Sequence, residues 1–162
     1  IHHRMSIRRV DDLAKYVALL RSDPSETAAL ANDLLINVTS FFRDPPAWRL
    51  LQEKVIRRLV AELENTDPLR VWVPACASGE EAYSVAMVCI EELQAAGKVN
   101  RLKVFASDVD TDALATARAG IYPEHIAADI SAARLGRFFV PSEHGYRVQK
   151  ELREAVLFAP QS

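Results

Sequence analysis

LRVWVPACASGEEAYS, residues 69–84, is the stretch that decides the fold: a valine-rich apolar run enters a turn of small residues and leaves as the start of a helix. That order is the first βα turn of a nucleotide-binding parallel sheet. Ser78, with Glu81 three residues later, spells the S-x-x-E capping box, and Gly79 allows the backbone to come close to whatever lies above the turn. The loop Ala75-Cys76-Ala77-Ser78-Gly79 fits the dinucleotide fingerprint G-x-G-x-x-G poorly. Glu80 and Glu81 stand where a dehydrogenase lays a pyrophosphate, so the turn repels phosphate and favours a cation. S-adenosylmethionine, with a sulfonium, an ammonium and no phosphate, suits it. The plainer alternative is that both glutamates complement the helix dipole, with Glu81 spent on the cap.

Downstream, residues 69–73 and 102–106 are short apolar runs separated by a helix from residue 79 to about 96, which makes a βαβ unit. The second strand ends in Ser107-Asp108-Val109-Asp110. An acid at that carboxyl end accepts hydrogen bonds from both hydroxyls of a ribose, and Asp108 is placed to do so. Asp110 is the expected cap of a helix over 111–118 that stops at Gly120. Tyr122-Pro123 then breaks the pattern, Ser131 caps a short helix reaching Phe138, and residues 145–149 and 155–158 read as strands. Together these suggest a small insert and a hairpin returning to the main sheet. With its final residues lying just past the last of these strands, the sheet reads as unfinished and the chain as a fragment.

Upstream the pattern is helical. Residues 10–21 carry Leu13, Tyr16, Val17 and Leu20 at helical spacing, with Asp11 or Asp12 as cap. Asp23-Pro24-Ser25-Glu26 offers cap, N1 proline and N3 glutamate for a second helix whose apolar face runs through Leu30, Leu34 and Val38. Asp44 and Pro45 open a third, with Trp48, Leu51, Val55 and Leu59 inward. Between them Asn37-Val38-Thr39-Ser40-Phe41-Phe42-Arg43-Asp44 follows neither period. Its phenylalanines suit a wedge between domains, with Asn37, Thr39 and Arg43 toward a cleft.

The 162 residues are 49% hydrophobic and 26% charged, which suits one globular domain plus an appendage. A net charge of -2 argues against general nucleic-acid binding, because neutralising phosphates takes a dense basic surface. The longest apolar run, 82–90, is too short to span a bilayer, so no membrane insertion is expected. Cys76 and Cys89 are too few for a disulfide framework, which favours a reducing cytoplasm, and no metal site is expected because the four histidines show no ligand spacing with them. Cys76 reads as a small residue packed near a ligand rather than as a reactive thiol.

Four phrases in order, NVTSFFRDP (37–45), ASGEEAYSVAM (77–87), VFASDVDTDALATARAGIYP (104–123) and RVQKELREAVLFAP (147–160), resemble the CheR family of chemotaxis receptor methyltransferases over nearly the whole chain. The resemblance implies an α/β fold: an N-terminal helical domain (1–43), a linking helix (44–66) and a truncated Rossmann-like methyltransferase domain (67–162), with a small β-subdomain at about 121–155. It implies S-adenosyl-L-methionine as methyl donor, S-adenosyl-L-homocysteine as product, and glutamates on the cytoplasmic helical bundle of methyl-accepting receptors as acceptors. Carried over residue by residue, Asn37, Thr39, Arg43, Glu80, Glu81 and Asp108 become cofactor or substrate contacts, with Arg43 catalytic through orienting the acceptor carboxylate. Which of Glu80 and Glu81 makes the contact stays open. Two departures stand out: Ala75 replaces a glycine of many relatives, and Gln161-Ser162 replaces the end of their FAP-x-N phrase. The connection 140–146 is shorter than the loop that accompanies docking to a receptor-tail pentapeptide, so action without that tether is expected.

Residues 1–21 carry Arg4, Arg8, Arg9, Lys15 and Arg21 against Asp11 and Asp12, a local charge of about +3 by count. With the resemblance, Arg4, Arg8, Arg9 and Lys15 become a candidate docking surface for an acidic receptor bundle. Two other functions are compatible with the residues: a non-catalytic module that binds S-adenosylmethionine or its product, and, disfavoured by Glu80 and Glu81, a nicotinamide-dependent oxidoreductase.

Overall fold

A computed structural model describes residues 1–34, 39–64, 67–98 and 101–161, and the chain divides into two compact units, Ile1–Ile36 and Asn37–Ser162.

The first unit contains α1 (His2–Ile7), α2 (Leu13–Ser22) and α3 (Pro24–Leu34). Local chemistry sets their ends: the Asp12 side chain accepts from Lys15 N, and Asp23 Oδ1 accepts from Ser25 N and Glu26 N. The expected apolar stripe of α2 is only partly buried. Tyr16 is 1% exposed, but Leu13 and Val17 lie open. Glu26 does not turn back to complete a capping box; it is the buried hub of the unit. Arg4 donates to both its carboxylate oxygens through Nε and Nη2 (3.0 and 2.6 Å), Tyr16 Oη donates at 2.8 Å, and Arg8 Nε lies 3.2 Å away. The Arg4 guanidinium holds the Glu26 carboxyl below its ordinary range, and Ser25 does the same for Asp23.

The second unit begins its helices with α4 (Pro45–Leu50), a π-helical segment (Leu51–Ile56) and α5 (Arg57–Glu62). Trp48 and Leu51 pack on the core as expected, yet Val55 and Leu59 are exposed while Ile56 and Val60 are 5% and 2% exposed. The π segment explains the shift, because each π turn accommodates an extra residue and moves the inward face one position along the chain. Glu92 fastens this segment to the next helix, accepting from Gln52 Nε2 and from Arg57 Nε and Nη2.

β1 (Leu69–Pro74), α6 (Glu80–Ala95), β2 (Leu102–Asp108), α7 (Thr111–Ala119) and β6 (Val156–Pro160) build a parallel sheet in the order β1-β2-β6. Residues 82–89 of α6 are all buried, and side chains such as Met87 and Val88 each contribute roughly 1.5–3 kcal/mol. Burial alternates along all three strands: Val73, Val104, Ala106, Val156 and Phe158 face the helices, whereas Trp72, Phe105 and Leu157 are exposed on the other side. Sheets of this kind are usually covered on both faces.

The insert holds β3 (Ile121–Tyr122), a 3-10 turn (Glu124–Ala128), α8 (Ala132–Phe138, capped by Ser131), β4 (Phe139–Ser142) and β5 (Gly145–Val148), an antiparallel sheet in the order β3-β5-β4. The hairpin is β4–β5, not a pairing of residues 145–149 with 155–158. A helix the sequence reading did not anticipate, α9 (Lys150–Ala155), returns the chain so that β6 pairs parallel with β2. Among the described residues no helix is long and apolar enough to cross a membrane.

Candidate active site

The β1–α6 turn is built from left-handed residues. Ala75 (φ 54°), Ala77 (φ 45°) and Gly79 (φ 94°) all have positive φ, at a cost of roughly 1–2 kcal/mol for each alanine. The glycine of many relatives at position 75 suits that conformation, and here alanine adopts it. Gly79 serves the core rather than a ligand. A Cβ there would lie 2.8 Å from Ala117 Cβ and 3.1 Å from the Phe158 ring and Tyr122 Oη. Tyr122, from the insert, donates its hydroxyl to Ser78 O at 2.7 Å and pins the turn from below.

The expected Ser78–Glu81 capping box does not form. Gly79 is the N-cap of α6 without a side-chain cap bond, and Ser78 Oγ donates instead to Glu80, at 2.8 Å to Oε2. Two environments result. Glu80 is half-buried, and its loss of hydration pushes the carboxyl above the ordinary range; Glu81 is exposed. A half-buried carboxylate at the head of α6 gives the turn its cation-favouring character and occupies the ground a phosphate would need. The two adjacent glutamates therefore differ in hydration.

Asp108 ends β2 beside this turn. Its Oδ2 accepts from Ala77 N at 2.7 Å and its Oδ1 from Asp110 N at 2.9 Å, so each oxygen keeps acceptor capacity for a ribose hydroxyl. Asp110 caps α7 as expected, accepting from Asp112 N and Ala113 N. Asp108 lines a cleft of about 220 Å³ with Trp72, Pro74, Ala75, Ser107, Val109 and Gln161. That is below the roughly 300–1,000 Å³ of sites for whole drug-sized ligands, and it fits a nucleoside portion. Sequence reasoning missed a chain along its floor: Trp72 Nε1 donates to Ser107 Oγ at 3.1 Å, and Ser107 Oγ donates to Gln161 Oε1 at 2.6 Å. The exposed side chain of Val109 offers an apolar edge beside Asp108. Only the parallel register, which sets Pro74 beside Ser107 and Asp108 beside Pro160, brings these residues together.

Of the 37–45 phrase, Asn37 and Val38 lie outside the described residues. Phe41 and Phe42 are 2% and 8% exposed and belong to the core of the second unit. The Phe41 ring meets Tyr122 and Phe139 edge-on at 5.0 and 5.5 Å, and Phe42 meets Trp48 at 5.3 Å. Phe42 N donates to Ser84 Oγ at 3.2 Å, and Ser84 Oγ donates to Glu80 O at 2.7 Å. Arg43 thus follows directly on a residue anchored to the N-terminal turns of α6. Its carbonyl accepts from Trp48 Nε1 at 2.8 Å, and its neighbours Phe42 (φ 50°) and Asp44 (φ 62°) are both left-handed. Thr39 is half-buried, and Arg43 is exposed.

Cys76 is 1% exposed, and burial with the nearby Asp108 carboxylate pushes its thiol up to about 11, so it stays protonated at neutral pH. In the first unit, Arg4 pairs with Glu26, and Arg8 with Asp23 and Glu26. Arg9 and Lys15 are exposed and form no side-chain ion pair among the described residues.

A parallel βαβ sheet, a phosphate-hostile acidic turn and an aspartate at the end of β2 define a Rossmann-like domain for a cationic nucleoside cofactor. The family described as CheR methyltransferase, SAM binding domain, matches residues 37–162, and the chain belongs to it. S-adenosyl-L-methionine is accordingly the cofactor of this domain, and the acidic turn with Asp108 fits it. The chain is 34% identical over 162 residues to "Chemotaxis protein methyltransferase 2" of Pseudomonas aeruginosa, covering 98% of this chain and 56% of that one. It is 38% identical over 155 residues to the "Chemotaxis protein methyltransferase" of Escherichia coli, covering 92% and 51%. It is also 45% identical over 159 residues to the "Uncharacterized 104.1 kDa protein in hypE 3'region" of Rhodobacter capsulatus, covering 98% of this chain and 17% of that protein. The chain thus spans about half the length of the two chemotaxis methyltransferases and a smaller share of the third.

Proposed function

We propose that the chain forms the cofactor-binding part of a cytoplasmic protein-glutamate O-methyltransferase that esterifies glutamates on the helical bundle of chemotaxis receptors. The observation that carries this reading is the pairing of a half-buried Glu80 at the head of α6 with Asp108 at the end of β2. Asp108 would accept the ribose hydroxyls, Glu80 the methionine ammonium, and Val109 would face the purine. Asn37, Thr39 and Arg43 would line the acceptor side. The donor, when bound, supplies an activated methyl on sulfur. The acceptor carboxylate is already ionised at neutral pH, so no general base is required. Transfer would form the new O–CH3 bond as the S–CH3 bond breaks, with the bonding pair left on sulfur and no proton to be moved by the chain. What the chain contributes is alignment and exclusion of water, with Arg43 orienting the acceptor oxygen without quenching it.

Calorimetric titration of S-adenosylhomocysteine, with NADH as control, tests the site. The expected result is binding of the first alone, weakened about 30-fold by Asp108→Asn, since bonds to a charged group contribute roughly 1.5–3 kcal/mol. Because dehydration raises the Glu80 carboxyl, affinity should fall on acidification at a higher pH than an ordinary glutamate would dictate. Equal binding of NADH would sink the reading. Binding without transfer to any receptor fragment, unchanged in Arg43→Ala, would favour the non-catalytic module.

For receptor docking, Arg4 and Arg8 stay candidates, and the residues to test first are the exposed Arg9 and Lys15. Reversing both to Glu should slow methylation several-fold at low salt and leave cofactor affinity intact. The β4–β5 connection is short, in keeping with engagement of receptors without a tail tether.

A further inference from the structure

Besides Tyr122 and Phe139, which pack on Phe41, the insert reaches the Arg43 loop through a side chain that no motif singles out. Arg134, on α8, uses both an edge and a face of its guanidinium: Nε and Nη2 donate to Glu91 Oε1 and Oε2 at 2.9 and 2.7 Å, and its Cζ lies 4.3 Å from the centre of the Phe42 ring. Both side chains of the ion pair are only about a quarter exposed, so the stack is partly dehydrated. Phe42 needs such restraint, because a bulky residue at φ 50° is held there only by its surroundings. It is restrained from three elements: α6 through Ser84, α4 through Trp48 and α8 through Arg134.

We infer that Arg134 is a positioning residue for methyl transfer, which clamps Phe42 in its left-handed conformation and thereby sets the backbone from which Arg43 meets the acceptor. This rests on the functional reading above. A lysine cannot do the same work, since it lacks the fork that grips Glu91 and the plane that covers the ring. The same helix supplies an internal control. Arg137 lies 4.6 Å over Phe138 and donates to Gln94, a similar cation–ring contact with no link to Arg43.

The test compares Arg134→Met, Arg134→Lys and Arg137→Met in the full chain. It measures kcat and KM for methyl transfer to a receptor cytoplasmic fragment, S-adenosylhomocysteine affinity, and fluorine NMR of 5-fluorotryptophan-labelled protein. Arg134→Met should lower kcat/KM by about 10-fold or more, as expected when a reacting geometry loosens by a fraction of an ångström. Cofactor affinity should hold within about threefold while that geometry loosens. Arg134→Lys should recover little, and Arg137→Met should behave as wild type. The Trp48 resonance should shift or broaden in both Arg134 variants and stay in place in Arg137→Met, with Trp72 unmoved. An unmoved Trp48 signal overturns the clamp whatever the kinetics, and so does a loss shared by Arg137→Met or matched by lost cofactor affinity. A wild-type protein that neither binds nor transfers would sink the functional reading, and the fluorine signal would still decide the clamp.

Discussion

α6 and α2 are both amphipathic by sequence, yet the chain holds them by opposite means. α6 buries ten of its sixteen residues, and what mainly anchors it is apolar packing, with Glu91 and Glu92 adding ion pairs to Arg134 and Arg57. α2 buries only Tyr16 of its ten, and the helices around it are tied by Arg4, Arg8 and Tyr16 converging on Glu26. Charges over residues 1–36 sum to zero, five basic against five acidic, so the basic stretch at the N-terminus is largely balanced by its own unit. Packing tolerates acid but not added volume, whereas an ion-pair hub yields to acid once its carboxylates are protonated.

The sharpest way to break that contrast is Gly79→Ala. The added methyl meets Ala117 and must keep a left-handed backbone, so the second unit should lose about 3 kcal/mol in urea denaturation. A loss under about 1 kcal/mol would show that the α6 junction yields more than close packing permits.

Acid should act next most strongly, and selectively on the first unit. Asp23 and Glu26 are held below their ordinary values of 3.8 and 4.5, so the folded state favours their ionised forms. The stability they lend is complete above those values and is lost as pH falls through the depressed ones. Hydrogen exchange should show amides of α2 and α3 losing protection below about pH 4 while α6 keeps its own. Simultaneous loss in both helices would erase the distinction.

The smallest effect is expected in the turn itself. Ala75→Gly relieves a left-handed alanine but frees the unfolded chain, and the balance should stabilise by about 0.5 kcal/mol in thermal melts. Destabilisation would mean that the alanine side chain contributes more to the cleft than its strain costs.

Much of the fold was legible because its signals are local. Asp12, Asp110 and Ser131 cap the helices expected of them, Gly120 closes α7 at φ 60°, and β1, β2, β5 and β6 fall within a residue or two of their expected runs, whereas β3 and β4 were not anticipated. The readings that failed depend on distant contacts. Ser78 followed by Glu81 is a sound capping signal, but the left-handed Gly79 turns Ser78 toward Glu80. Val55 and Leu59 keep helical spacing, but the π segment moves Ile56 and Val60 inward in their place. That Arg4 and Arg8 converge on Glu26, eighteen or more residues away, was not legible either. Trp72, Ser107 and Gln161 share one hydrogen-bonded row only once β1, β2 and β6 are in register.

By itself the sequence determined the βαβ order of the main sheet, several helix caps and the acidic character of the first βα turn, because caps, glycines and apolar periods act within a few residues. It also placed Asp108 at the end of a strand beside that turn. Only the tertiary structure decided which of two adjacent glutamates is dehydrated, which arginines are paired with carboxylates, and which side chain of the insert grips the Arg43 loop. Those outcomes turn on burial and on partners far apart in the chain, and a linear pattern carries neither.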